Sequence, residues 1–281
     1  MRVVAALLVL ALVGAAGAAA FVYSGLYDVA ATQQHTAPVF WVLKTTMRRT
    51  VQKHARSVVV PPLGDPEQVA HGRTLFVAHC SRCHGAPGVA PEPFALGLRP
   101  EPANLANTGI EWAPAELFWT IAHGLKLTAM PAWQFRLSDA EIWAIVAYIQ
   151  HMPYESPRGF RDALLASGTP LPPRFGAPPL APVVSGTATG DPDRGRHMLQ
   201  QYACITCHDI PGAVGAAIPV GPPLSSMGLR SYVGGVLANT QENLAHFLRA
   251  PQRYVPDGAM PDLGVTERDA RDMAAYLESL R

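Results

Sequence analysis

The stretch that decides the fold is Cys-Ser-Arg-Cys-His at residues 80–84, which returns as Cys-Ile-Thr-Cys-His at residues 204–208. The chain has 281 residues and four cysteines, and every cysteine lies in one of these two stretches. In each stretch two residues separate the thiols, and a histidine follows the second thiol directly. A pattern that repeats and uses all the cysteines indicates one chemistry that both copies share.

Cys-x-x-Cys-His is the attachment sequence of c-type haem. Two thiols at this spacing reach the two vinyl groups of a haem, and the adjacent imidazole falls beneath the iron. We therefore predict two covalently attached haem c groups, each with one iron. The predicted attachment residues are Cys80, Cys83, His84, Cys204, Cys207 and His208.

Two other uses of paired cysteines stay open at this point. A redox-active dithiol would account for one pair, but such a dithiol occurs near a strand–helix–strand pattern and needs no histidine in the fifth place. A zinc site with four cysteines would have to join two pairs that lie far apart across a proline-rich segment.

Residues 3–23 contain no charged side chain. About twenty apolar residues, each rising roughly 1.5 Å, span the hydrocarbon core of a bilayer. We predict that residues 1–26 are a signal anchor that stays in the membrane as a transmembrane helix. A cleaved secretory signal is the alternative, because Arg2 and the small residues at 14–20 also suit one.

Residues 27–64 are predicted to form a stalk with a basic amphipathic helix, which starts near Pro38 and ends near Arg56. This stalk has five basic residues and no acid between Asp28 and Asp65, namely Lys44, Arg48, Arg49, Lys53 and Arg56. The helix either has one packed face and one solvated face, or lies on anionic headgroups or an acidic partner. The net charge of +1 selects no partner class, and no clustered basic surface suggests nucleic acid.

An internal repeat surrounds the two motifs. Residues 64–67 read Gly-Asp-Pro-Glu and residues 190–193 read Gly-Asp-Pro-Asp. In both, the aspartate is suited to cap a helix and the proline to occupy its first position. A Gly-Arg pair follows each, at residues 72–73 and 195–196, before a helix that runs into the cysteine motif.

Each repeat also closes with a predicted helix. Residues 138–141 read Ser-Asp-Ala-Glu, a capping box, and residues 266–269 read Thr-Glu-Arg-Asp, a variant of it. Apolar residues then recur at helical spacing, as Ile142, Ile145, Val146 and Ile149 and as Met273, Tyr276, Leu277 and Leu280. Strand-like alternation is absent from both repeats, so the sequence predicts an all-α fold.

Residues 66–153 and 191–281 each resemble a class I cytochrome c, with an opening helix, Cys-x-x-Cys-His, a Met-Pro turn and a closing amphipathic helix. The second resembles it more closely, through Gly-Pro-Pro-Leu at 221–224 and Met-Pro-Asp-Leu-Gly at 260–264. The resemblance implies two tandem cytochrome c domains behind a transmembrane helix. The predicted segments are the anchor 1–26, the stalk 27–64, the first module 65–153, a proline-rich linker 154–190 and the second module 191–281.

Methionine is the predicted ligand on the other face of each iron. Met130 and Met260 both precede a proline, and both lie in a loop before the closing helix, so either can swing across a haem. A thioether raises the reduction potential relative to a second imidazole. Other candidates fit less well: Met152, Met198, Met227 and Met273 are expected in or at the ends of helices or too near the motif, and His123 is expected to be hydrogen-bonded or partly exposed.

Neighbouring groups are assigned more loosely. In the family a proline carbonyl accepts the N–H of the proximal histidine, and Pro222 occupies the matching place, whereas the first module offers no clear equivalent. Trp133 is expected either to cover a haem edge or to fill the core. Arg99 and Arg230 either meet haem propionates or face water.

The expected function is electron transfer in a respiratory chain, and not enzymatic catalysis. The resemblance implies that haem is attached outside the cytoplasm, so we expect a single-pass protein of the inner membrane with both haems in the periplasm. The expected partners are a quinol-oxidising complex or a dehydrogenase as donor and an oxidase or another cytochrome as acceptor. The alternatives are a di-haem electron-entry subunit of a terminal oxidase or periplasmic dehydrogenase and, less favoured by the two Met-Pro turns, a di-haem peroxidase.

Overall fold

A computed structural model describes residues 1–173, 190–215 and 220–281. The chain divides into two compact units, residues 1–34 and 35–281. The first unit is dominated by the helix α1 (Arg2–Ser24), none of whose side chains is buried. This helix is long and apolar enough to cross a membrane, although an N-terminal signal sequence would have the same properties. It ends at Gly25, in the left-handed conformation that glycine tolerates.

The second unit begins with a helix and the first module. Its helices up to residue 173 are α2 (Ala37–Ala55), α3 (Pro66–His79), α4 (Ser81–His84), α5 (Leu105–Glu111), α6 (Pro114–His123), α7 (Asp139–His151) and α8 (Pro157–Ser167). The predicted caps are present, since Asp65 accepts from the backbone N–H of Gln68 and Ser138 forms a capping box with Glu141. Phe76 and Tyr148 are fully buried where α3 and α7 pack together.

The second module repeats this arrangement. Its helices are α9 (Pro192–Gln201), α10 (Gln241–Arg249), α11 (Pro251–Tyr254) and α12 (Glu267–Ser279), with two short strands, β1 (Tyr232–Val233) and β2 (Leu237–Ala238), that pair antiparallel. Leu199 of α9 and Met273 and Leu277 of α12 lie in its core. The prediction of two all-α modules is confirmed, and these two-residue strands are the only sheet in the described residues.

A glycine marks the crossing of the first and last helices in both modules. A Cβ atom placed on Gly72 would lie 1.9 Å from the carbonyl oxygen of Ala144, and one placed on Gly195 would lie 1.9 Å from that of Asp272. No side chain fits at such a distance, so glycine lets the helix backbones touch. The Gly-Arg pairs of the repeat therefore mark the helix crossing that holds each module together.

The basic helix α2 packs against α6 of the first module. Val51 and Ala55 are buried, Arg48 forms an ion pair with Glu116 at 3.0 Å and lies over the ring of Trp112, and His54 stacks on Trp119. Of the two roles left open for this helix, the structure therefore favours one packed and one solvated face.

The predicted linker 154–190 begins with ordered structure. Helix α8 follows the sharp end of α7, and its side chains Phe160 and Leu164 are fully buried in the core of the first module. The proline-rich composition of residues 154–190 predicts a linker and no helix. The few apolar residues before residue 168 nevertheless have helical spacing, and they pack into the core of the first module. Residues 174–189 of the predicted linker lie outside the described residues.

Candidate haem sites

In the first module the cysteine motif forms a single helical turn at the end of α3. Cys80 ends α3 through its N–H to the carbonyl of Phe76, and α4 carries Cys83 and His84 on the next turn. Gly85 then turns the chain with φ +67°, and a Cβ atom there would lie 2.6 Å from the carbonyl oxygen of Val89. The tight turn fixes the direction in which the histidine leaves the helix.

His84 is oriented by a backbone carbonyl. Its Nδ1 donates a hydrogen bond to the carbonyl oxygen of Ala103 at 2.8 Å, because a carbonyl can only accept. The Nε2 atom is thereby left with its lone pair, which is the atom that an axial ligand offers to iron.

His208 has the same arrangement in the second module. Its Nδ1 donates to the carbonyl oxygen of Pro222 at 2.8 Å, the contact expected from the sequence. Gly221 lies directly against the ring, since a Cβ atom on it would be 2.4 Å from Cε1 of His208. The loop backbone therefore packs directly against one side of this imidazole, and no side chain would fit between them.

Both imidazoles are held in the neutral form. Burial lowers the pKa of His84 and of His208, and this outweighs the opposing effect of the hydrogen bonds to Ala103 and Pro222. Arg230 lowers the pKa of His208 further. A neutral imidazole is the form that binds a metal.

The environment of the cysteines favours protonated thiols, whereas a redox-active dithiol needs a thiolate. Burial raises the pKa of Cys80 to about 12 and that of Cys204 to about 12, with a further contribution from the second thiol of each motif. Redox-active Cys-x-x-Cys sites instead lower the pKa of one thiol below its ordinary value. In the described residues, which include all four cysteines, no group of three His, Cys, Asp or Glu side chains is placed to hold a metal ion.

Met130 lies in a tightly anchored loop that starts at Gly124. The N–H of Leu125 donates to the carbonyl of Met130, and a Cβ atom on Gly124 would lie 2.7 Å from that same oxygen. Trp133 closes the loop and its ring lies 5.2 Å from that of His79, the residue just before Cys80. The fold thus brings the methionine loop next to the start of the attachment motif.

Met260 lies in the corresponding loop of the second module, half-buried against its core. Asp262 accepts a hydrogen bond from the N–H of Gln252 at 3.4 Å, which ties this loop to α11. Burial raises the pKa of Asp262.

The other methionines and His123 occupy places with other roles. Met152 ends α7 and Met273 lies in α12, both buried, while Met227 is buried in the core of the second module and Met198 packs against that core from α9. His123 donates to the carbonyl of Trp119 at 2.9 Å and stacks on its ring. Met130 and Met260 instead lie in the loops that precede the closing helices α7 and α12.

Arg99 supplies an observation that fits a bound haem. Its guanidinium is ion-paired with Glu101, and its buried Nε and Nη2 atoms have no hydrogen-bond partner among the described residues. Buried donors without partners are costly, and a carboxylate such as a haem propionate would satisfy them. Arg230 instead donates to the carbonyl of Pro223. Together with the two thiols and the neutral imidazole of each motif, the residues fit covalently bound haem.

Comparison with protein families agrees with this geometry. Residues 67–149 match the family model of cytochrome c oxidase, cbb3-type, subunit III, and residues 192–281 match the model of cytochrome c. The chain carries two cytochrome c domains in tandem. Two such domains imply two covalently bound haem c groups, which confirms the cofactor prediction.

Three curated relatives are similar to parts of the chain. Cytochrome c oxidase subunit 2 of Alkalihalophilus pseudofirmus is 34% identical over a match that covers 32% of this chain and 25% of that protein. The cbb3-type cytochrome c oxidase subunit CcoP of Azospirillum sp. is 30% identical over 31% of this chain and 30% of that protein. Dihydro-heme d1 dehydrogenase of Pseudomonas aeruginosa is 31% identical over 40% of this chain and 22% of that protein. The chain thus spans less than a third of the length of each. No solved structure matches it significantly.

Two residues of the first site were not found from the sequence. Ala103 supplies the carbonyl for His84, and Asn104 contacts the second module. A weak signal exists: Ala103 precedes Leu105 by two residues, as Pro222 precedes Leu224. Because any residue can supply a carbonyl, that spacing alone did not identify it.

Proposed function

We propose that this chain carries electrons outside the cytoplasm, through one haem in each cytochrome c domain. The observation that carries the proposal is the paired geometry of His84 and His208, each of which donates Nδ1–H to a loop carbonyl at 2.8 Å and keeps Nε2 for iron. When bound, the haem supplies an iron that accepts and releases one electron.

The protein groups then have three tasks. The thiols of Cys80, Cys83, Cys204 and Cys207 attach the haems. His84 and His208 would hold the irons through Nε2, and we assign Met130 and Met260 as the second protein ligands. Two protein ligands for each iron would leave no position for a substrate, which favours electron transfer over peroxidase chemistry.

The location follows from the same proposal. We infer that α1 anchors the chain in the inner membrane as a single pass and that residues 35–281 lie in the periplasm, where haem would be attached. Protease treatment of intact spheroplasts tests this orientation. The proposal requires the haem-bearing fragment to be released; protection of both domains until the membrane is opened would contradict it.

A second candidate function is that of an electron-entry subunit of a terminal oxidase. The similarity of residues 67–149 to subunit III of cbb3-type oxidase, and two relatives named as oxidase subunits, favour it. Purification from native membranes in mild detergent distinguishes an oxidase subunit from a free electron carrier. A subunit would be recovered in fixed stoichiometry with an oxidase, whereas a free carrier would be recovered alone.

A direct test of carrier function uses the purified protein in detergent. Ascorbate or dithionite should reduce both haems, ferricyanide should reoxidise them, and hydrogen peroxide should be turned over no faster than by free haem peptide. Rapid peroxide turnover together with a high-spin ferric signal would favour the peroxidase.

A further inference from the structure

The two modules contact one another through their loops. Gln252 of α11 donates to the carbonyl of Gly88 at 2.8 Å, and Arg158 of α8 forms an ion pair with Asp257 at 2.7 Å. Gly88 belongs to the turn that follows His84, and Asp257 belongs to the loop that leads to Met260. The contact surface therefore joins the proximal side of the first site to the methionine loop of the second.

A third contact reaches an attachment residue itself. The side-chain amide of Asn104 donates through Nδ2 to Sγ of Cys207 at 3.1 Å. In this structure Sγ belongs to a thiol; in the haem-bound protein the same atom is a thioether sulfur, which still accepts a weak hydrogen bond. Asn104 belongs to the first module and Cys207 to the second, so this bond crosses the boundary between them.

Asn104 is also joined to the first site. The residue before it, Ala103, accepts the hydrogen bond of His84 at 2.8 Å. A continuous series of groups therefore runs from the imidazole of His84 through the Ala103 carbonyl, the peptide bond and the Asn104 side chain to Sγ of Cys207. The series contains two hydrogen bonds, and every other link is covalent.

The amide of Asn104 is held in place by a second role. Its Oδ1 atom accepts from the N–H groups of Ala106 and Asn107, at 3.0 and 3.4 Å, and so caps helix α5. Because Oδ1 is fixed by the helix, Nδ2 is directed away from it toward Cys207. One asparagine thus uses both ends of its amide, one for the cap and one for the neighbouring module.

We infer that Asn104 is a positioning residue that couples the two haem sites and provides the route for electron exchange between them. The inference rests on the proposed electron-carrier function. Each exchange would move one electron between the sites, so that the site at His84 would be oxidised as the site at His208 is reduced, or the reverse. No proton moves and no bond is made or broken.

The test compares Asn104→Ser with Gln252→Ala in the full-length holoprotein in detergent. Serine caps a helix as asparagine does but is too short to reach Cys207, so the variant removes the cross-module bond and keeps α5. Gln252→Ala removes a docking contact and leaves the series intact. Proton NMR of the half-reduced protein resolves the haem methyl signals of each ferric haem, and their exchange gives the rate between haems. A rate that does not change with protein concentration is intramolecular.

We expect Asn104→Ser to slow intramolecular electron exchange several-fold and to shift the methyl signals of the haem attached at Cys207. Gln252→Ala should exchange electrons at close to the parent rate. An unchanged rate in Asn104→Ser would overturn the inference. Equal slowing in both variants would also overturn it, because docking alone would then set the rate. If Asn104→Ser does not fold, Asn104→Asp is used in its place, because aspartate also caps α5 but has no N–H to donate to Cys207. If neither haem is reversibly reduced in the parent protein, the proposed function itself fails.

Discussion

Of the glycines in the described residues, Gly221 is the one at which an added Cβ atom would come closest to a proposed iron ligand, His208. A Cβ atom there would lie 2.4, 2.7 and 2.9 Å from three atoms of the His208 ring. The adjacent Pro222 carbonyl holds Nδ1 of the same ring, so Gly221 and Pro222 together fix where Nε2 points.

Gly221→Ala is therefore expected to displace His208. The variant should lose haem from the second site or bind it with an altered potential, while the first site stays as it is. Gly215→Ala is the matched control, because among the described residues a Cβ atom there meets only Ile205, at 3.7 Å. Haem content and a redox titration measure the effect. A second haem with the parent's content and potential in Gly221→Ala would show that the loop adapts to the methyl group.

The methionine assignment makes a separate prediction. Met130→His and Met260→His should each lower the potential of one haem, because a second imidazole stabilises the ferric state relative to a thioether. Each should also remove half of the far-red charge-transfer band of methionine-ligated ferric haem. Met198→Leu, in helix α9 and in neither loop, should leave the band intact. If the parent protein lacks the band, neither methionine is the ligand.

Side chains with distinctive chemistry can be predicted from the sequence, whereas backbone groups cannot. The thiols and histidines of both motifs follow from their spacing, and Pro222 follows from the family resemblance. The Ala103 carbonyl does not, because a peptide group leaves no mark in the side-chain pattern. Which atom Asn104 contacts depends on how the modules meet, which a local pattern does not contain.

Among the secondary-structure elements, the crossing of α9 and α12 depends on Gly195. Gly195→Ala forces a methyl group to within 1.9 Å of the Asp272 carbonyl unless the helices separate. Overpacking of this kind costs about 2 kcal/mol or more. We expect the thermal transition of the second module to fall by roughly 10 °C. Gly159→Ala, near the start of α8, should change stability little, because among the described residues its Cβ atom would meet only side chains at 3.3 Å or beyond.

A carboxylate network holds the same two helices together. The buried Asp269 accepts hydrogen bonds from Tyr202 and Thr266, at 2.8 and 2.6 Å, and pairs with Arg194, which also pairs with Asp272. Burial acts to raise the pKa of Asp269, but the hydrogen bonds from Thr266, Tyr202 and Arg194 outweigh it and hold the pKa below the ordinary value. The folded state therefore favours the ionised carboxylate.

The pH dependence of stability follows from that direction. Because the folded pKa lies below the unfolded value of about 3.9, Asp269 stabilises the fold fully above that value, and the contribution disappears as the pH falls through the folded pKa. Asp269→Asn should cost about 3 kcal/mol at pH 7, and the difference from the parent protein should shrink below about pH 4. Chemical unfolding of both proteins at several pH values measures it. A difference that stays constant down to pH 2 would rule out this role for the carboxylate.

The helices were predictable where a cap and an apolar repeat coincide. For that reason the sequence predicts the helices that begin after the capping residues Asp65 and Asp191. It also predicts the closing helices α7 and α12. Helix α8 was missed because its eleven residues precede a long proline-rich stretch that obscures their periodicity. The packed face of α2 follows from its spacing, but its partner α6 does not, since nothing local to either helix specifies the other.

For the whole molecule, the repeat predicts two modules but not how they meet. The residues that join them, Gly88, Asn104, Arg158, Gln252 and Asp257, lie in or beside loops whose local patterns are unremarkable. Loop contacts between domains depend on the final shape of both surfaces, so they become visible only in the structure. The hydrogen bond from Asn104 to Cys207 is one such contact.

An optical redox titration of the membrane-bound protein, with its haem content determined in parallel, is the most direct test of two electron-transfer sites. We predict two haems per chain, both covalently bound and low-spin, each reduced and reoxidised reversibly by one electron. A single haem, a dissociable haem or a high-spin ferric centre that reacts with peroxide would contradict a chain built from two closed electron-transfer sites.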